Sequence, residues 1–66
     1  MNKLEQWKII YRNDKPISVE LLHFSMKEEL HRVDDMLVVW LKAYDLQDAL
    51  IKGRILINIS EAQSGK

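Results

Sequence analysis

Hydrophobic and polar positions alternate early in the chain and then change period. Trp7-Lys8-Ile9-Ile10-Tyr11-Arg12 and Ile17-Ser18-Val19-Glu20-Leu21 are rich in aromatic and β-branched residues, and the turn formers Asn13-Asp14-Lys15-Pro16 lie between them. This pattern predicts a β-hairpin. Counting by twos puts Trp7, Ile9 and Tyr11 on one face of the first strand, and Ile17, Val19 and Leu21 on one face of the second. A competing signal leaves residues 3–12 open between strand and helix: Asn2-Lys3-Leu4-Glu5 fits an N-terminal capping box, and Leu4, Trp7 and Tyr11 also recur at helical spacing. Strands from residue 7 are the preferred reading.

Ser25-Met26-Lys27-Glu28 is a second capping box, which predicts a helix from Met26. Met26, Leu30, Val33, Leu37, Leu41 and Tyr44 fall within about 80° of arc on such a helix, with Trp40 beside them. The half up to Asp35 is amphipathic. From Met36 to Tyr44 only Lys42 is charged, and Met36, Val39 and Ala43 add a second apolar flank. A helix apolar on two flanks is buried on two sides, and in so short a chain a second copy is the expected cover.

Continued helical phase would bring Asp48 into the apolar stripe, so a break is expected near Asp45, with Asp45 capping a short helix from Leu46 to Lys52 and Gly53 ending it. Arg54-Ile55-Leu56-Ile57-Asn58-Ile59-Ser60 alternates and predicts a closing strand. The expected fold is therefore α+β: an N-terminal β-hairpin, one long amphipathic helix, a short second helix and a C-terminal strand. Residues 1–66 would form one small domain, ordered over about 7–60 with a flexible tail at 61–66, in an intertwined or helix-packed homodimer with Met36, Val39, Trp40, Ala43 and Tyr44 at the dimer interface.

Composition sharpens this picture. At 66 residues, burial of apolar surface barely offsets chain entropy, and oligomerisation or staples commonly supply the margin. Cysteine is absent, which removes disulfides and Cys-based zinc sites. The longest apolar run, Met36 to Leu41, is far short of the roughly 20 residues of a membrane span. With its polar start, the chain is expected to be cytoplasmic. Ten basic residues balance ten acidic ones, whereas a dedicated nucleic-acid binder is usually basic. The middle of the chain is acidic and both ends are mildly basic.

Little catalytic chemistry is encoded. Two glycines cannot build a phosphate loop or a dinucleotide fingerprint, and none of the four serines sits in a nucleophile elbow. Glu20-x-x-His23 and Glu28-x-x-His31 have the form that di-iron bundles use. On one helix, however, they would lie about 12 Å apart, and on a strand Glu20 and His23 would point to opposite faces. No metal, cofactor or catalytic residue is therefore expected. A strand at Ile17–Leu21 followed by two helices resembles the ribbon-helix-helix DNA-binding dimers; the ribbon's outward residues here would be Ser18 and Glu20, an acid facing phosphate, and that family is not assigned.

These features lead to the expectation of a non-enzymatic regulator or inhibitor of the bacterial or phage kind. It would act as a homodimer on an unidentified protein target through an acidic helix face of Glu28, Asp34 and Asp35. The alternative is a small transcriptional regulator that contacts DNA through a basic hairpin carrying Lys8, Arg12 and Lys15.

Overall fold

The computed structural model describes residues 3–64. Four antiparallel strands, β1 (Glu5–Arg12), β2 (Lys15–Leu22), β3 (Glu29–Val33) and β4 (Met36–Ala43), form one sheet in the order β2-β1-β4-β3, and a single helix, α1 (Leu46–Ser64), follows. The fold is thus two hairpins joined edge to edge through β1 and β4, with α1 laid across that junction.

The first hairpin closes on Asn13 and Asp14, both with positive φ (53° and 65°). Two successive left-handed residues are what a two-residue hairpin turn compatible with strand twist requires, and Asn and Asp tolerate that region best after Gly. A bulge at Ile17 shifts the register between Ile10 and Tyr11. The second hairpin turns at Asp34-Asp35, with Asp34 at φ 57°.

The long helix expected from Met26 is replaced by β3 and β4. What reads as a helix with two apolar flanks is a central strand with two apolar faces: Leu37, Val39, Leu41 and Ala43 point towards α1, while Met36, Val38 and Trp40 point the other way. Strands buried on both sides lose their alternation and read as continuous apolar runs. Residues 25–28 form no helical turn. The Met26 amide instead donates to Gln6 Oε1 at 2.7 Å, and Gln6 Nε2 donates to the Leu41 carbonyl at 3.1 Å. Buried Gln6 thereby ties the segment between the hairpins to the sheet.

The short helix and closing strand expected at the C-terminus are also corrected: α1 runs unbroken through Gly53 and through the apparent alternation of residues 54–60. Ala49, Gly53 and Ile57, spaced by four, make the buried ridge of α1 against Ile9, Tyr11, Val39 and Leu41. Gly53 is an interior position where Tyr11 presses against the helix; a Cβ built there would overlap the Tyr11 hydroxyl oxygen and lie 3.3 Å from its Cζ. Asp45 does cap the helix, its Oδ1 accepting from the Asp48 amide at 2.8 Å, while Asp48 Oδ2 accepts from the Tyr44 amide at 3.0 Å. The tail expected at 61–66 is helical as far as Ser64; residues 65 and 66, like Asn2 of the first capping signal, lie outside the described residues. The strand at the N-terminus begins at Glu5, with no helical lead-in among the described residues.

Candidate interaction surfaces

The fold distributes apolar side chains over three surfaces. The first is the outer side of α1. Ile51, Ile55 and Ile59 repeat at intervals of four, and each is about half exposed, at 54%, 50% and 49%. Successive members are about 40° apart around the axis, so they form a ridge on the side of the helix away from Ala49, Gly53 and Ile57. A helix apolar on its buried and outer sides has little net polarity direction. Residues 54–60, the C-terminal half of α1, therefore carry no helical signature in the sequence, whereas Leu46–Lys52 lie in helix as expected.

The second surface is the sheet face opposite α1. Ile10 and Val38 fill its centre beside Met36 and Trp40. Trp40 meets His31 edge-on, with ring centroids 5.4 Å apart, and Lys8 Nζ lies 5.9 Å above the indole. His31 Nε2 is 3.0 Å from Glu29 Oε1 on the same strand. The strand register places Lys8, Arg12, Lys15 and Lys42 on this face, together with Glu20 and Glu29. Arg12 Nε is 3.4 Å from Asp35 Oδ2. Exposed pairs of this kind contribute less than about 1 kcal/mol.

The third surface is the outer edge of the sheet, β2, where every residue from Lys15 to Leu21 is exposed. Val19 and Leu21 sit opposite Ile9 and Trp7 and so share the α1 side of the sheet, yet α1 covers β4 and β1 and leaves them 37% and 39% exposed.

The residues expected to act together are largely separated. Val39 and Ala43 are fully buried beneath α1, Met36 and Trp40 lie on the opposite face, and Tyr44 is exposed at the junction with the helix. In this fold Val39 and Ala43 have no surface to offer a second copy. Nor is there an acidic helix face: Glu28 precedes β3, whereas Asp34 and Asp35 form the turn at its far end. Lys8, Arg12 and Lys15 do share one face, because Arg12 pairs with Lys15 across the first turn.

Among the described residues, two groups at structural positions are electrostatically perturbed. The Tyr44 amide holds the Asp48 carboxyl below its ordinary range, assisted by Lys52, whose Nζ lies 3.2 Å from Oδ2. Burial raises Tyr11, opposed by the charge of Arg54. The Tyr11 hydroxyl is buried and finds no hydrogen-bond partner among the described protein groups. Tyr11 lines a half-open hollow of about 280 Å³ together with Asp14, Arg32, Asp35 and Glu61, and a more open depression of about 390 Å³ lies around Gln6, Phe24 and Lys42. Among the described residues no three potential ligands cluster to hold a metal ion, and no helix is long and apolar enough to cross a membrane. Glu20 and His23, and Glu28 and His31, are not assembled into a common site.

What fold and surfaces define together is a class: a small two-hairpin sheet with one covering helix, with apolar side chains exposed on its outer surfaces. Compared with known proteins, the chain matches no family model, no curated protein and no solved structure.

Proposed function

We propose that this chain is a non-enzymatic, cytoplasmic regulatory or inhibitor protein of the bacterial or phage kind, which acts by binding another protein. The observation that carries this reading is the isoleucine ridge of α1. Ile51, Ile55 and Ile59 make the repeat with which a helix enters an apolar groove of a partner. Contiguous apolar patches on a small chain mark interaction sites. The acidic residues Glu28, Asp34 and Asp35 lie at opposite ends of β3 and are too dispersed to serve as one contact set.

The test is capture from the source cell with wild-type protein and with Ile55→Lys, followed by calorimetry on the purified target. The expected result is a target whose affinity drops at least tenfold for Ile55→Lys while the circular dichroism spectrum is unchanged. Equal binding of both proteins refutes the role of the ridge.

A second reading, DNA binding, draws support from the shared face of Lys8, Arg12 and Lys15. Its signature is affinity that declines steeply with salt, because phosphate contacts release counterions. An absent mobility shift at low salt excludes it.

A further inference from the structure

The two edges of the sheet are protected to different degrees. β3 is five residues long and carries Glu29, His31 and Arg32. Short edge strands with charged side chains resist pairing with other chains. β2 is eight residues long, and its single proline and its bulge are confined to Pro16 and Ile17. From Ile17 to Leu21 the strand has one charge, Glu20, which lies on the face away from α1, opposite Lys8. An exposed, largely apolar edge of this kind is a template for strand addition.

Its sequence also determines which occupant fits. Directly opposed residues of an antiparallel pair share a face, so β2 can meet a second β2 about Ser18, Val19 or Glu20. Pairing about Glu20 sets two carboxylates against each other, which is unfavourable. Pairing about Ser18 sets Lys15 against Leu21 and draws Pro16, which has no amide hydrogen, into the ladder. Pairing about Val19 sets Val19 against Val19, Ile17 against Leu21 and Ser18 against Glu20, with apolar residues matched to apolar ones and a hydroxyl beside each carboxylate. Each Glu20 keeps Lys8 of its own chain as a neighbour.

We propose that the chain forms a homodimer by antiparallel pairing of β2 with β2 of a second copy about Val19, making one eight-stranded sheet. The twofold axis stands perpendicular to the sheet, so both helices lie on the same side, and Val19 and Leu21 of both copies form the floor between them. Five residues from each copy make a ladder about 17 Å long. The contact is small beside the roughly 800 Å² per partner of a standard interface, so association in the micromolar range is expected.

Light scattering of the wild-type chain at about 100 µM should give twice the 7.8 kDa chain mass. Val19→Lys, which puts a charge on the α1 side of the edge, should give the single-chain mass with the same circular dichroism. Ile55→Lys, which alters only the outer ridge of α1, should remain dimeric. Amide exchange on the wild type supplies a second readout independent of any variant: protection of β2 amides should rise at least tenfold between about 2 and 500 µM. A monomeric wild type, a dimer that survives Val19→Lys or is lost in Ile55→Lys, or β2 protection independent of concentration would each overturn the proposal.

Discussion

Tyr11 and Gly53 form a single packing unit whose energetics can be separated by a double-mutant cycle. The hydroxyl of Tyr11 is buried without a hydrogen-bond partner among the described residues. Burying a hydroxyl in this way costs about 1–3 kcal/mol on protein scales, so Tyr11→Phe should stabilise the chain by about 1 kcal/mol instead of weakening it. Gly53→Ala gains about 0.5–1 kcal/mol of helix propensity. In the wild type, however, the new methyl overlaps the Tyr11 hydroxyl oxygen, and overpacking of this order costs about 1–3 kcal/mol. The single variant should therefore be destabilised. With phenylalanine at position 11 the overlapping atom is gone, and the nearest carbons stand 3.3 and 3.4 Å from the methyl, so Gly53→Ala should become neutral or stabilising. The coupling between the two changes is then about 1–2 kcal/mol, read as midpoint shifts in urea unfolding followed by tryptophan fluorescence. Alkaline pH adds an independent check. Burial raises the Tyr11 pKa above its ordinary value of 10.0, so the folded state holds this proton more tightly, and stability falls as pH rises above 10. Tyr11→Phe should remove that component of the alkaline loss. A coupling under about 0.5 kcal/mol, or a Tyr11→Phe variant weaker than wild type, would refute the reasoning.

Three further outcomes follow from the hydrogen bonds. Asp45→Ala removes the α1 cap and should cost about 1 kcal/mol, a fall of about 4–8 °C in Tm for a domain of this size. Asp48, whose carboxyl is held below its ordinary 3.8 by the Tyr44 amide, contributes stability above that pH and loses it as pH falls through the lowered pKa; Asp48→Asn should flatten this acid limb in a pH series of thermal melts. Gln6→Leu leaves the Met26 amide and the Leu41 carbonyl without their partner and should cost about 1–3 kcal/mol, with faster amide exchange at Met26.

How far the fold can be read from sequence depended on which signals were local. The first hairpin was legible because the turn formers Asn13-Asp14-Lys15-Pro16 separate two runs rich in β-branched and aromatic residues, although the turn itself is Asn13-Asp14 and Lys15 and Pro16 already belong to β2. β4 was not, because both its faces are apolar and a period of two vanishes when every position is hydrophobic. The serine and glutamate at 25 and 28 then supplied a capping signal for a helix that tertiary pairing overrides. The sequence of α1 misleads in the opposite sense: Ile55, Ile57 and Ile59 alternate, yet Ile57 belongs to the buried ridge and the other two to the outer one. Gly53 has the signature of a helix terminator, and its reason lies far earlier in the chain, in the Tyr11 ring. The surfaces were less legible than the elements. Whether Val39 or Val19 is exposed depends on where α1 lies over the sheet, and no local pattern encodes that.

The meeting of β1 with β4 also shapes how the chain reaches its fold. Each hairpin is a local structure, and isolated hairpins close in about 1–10 µs. Joining them brings Arg12 to Met36 and Glu5 to Ala43, contacts between distant parts of the chain that must overcome loop-closure entropy before they return any burial. During synthesis both hairpins leave the ribosome ahead of the helix that covers their junction, so the central ladder and the docking of α1 fall at the end. The rate-limiting step is therefore expected at the β1–β4 seam, where substitutions such as Ile9→Val or Val39→Ala would slow folding, while changes at the two hairpin turns would leave that rate nearly untouched.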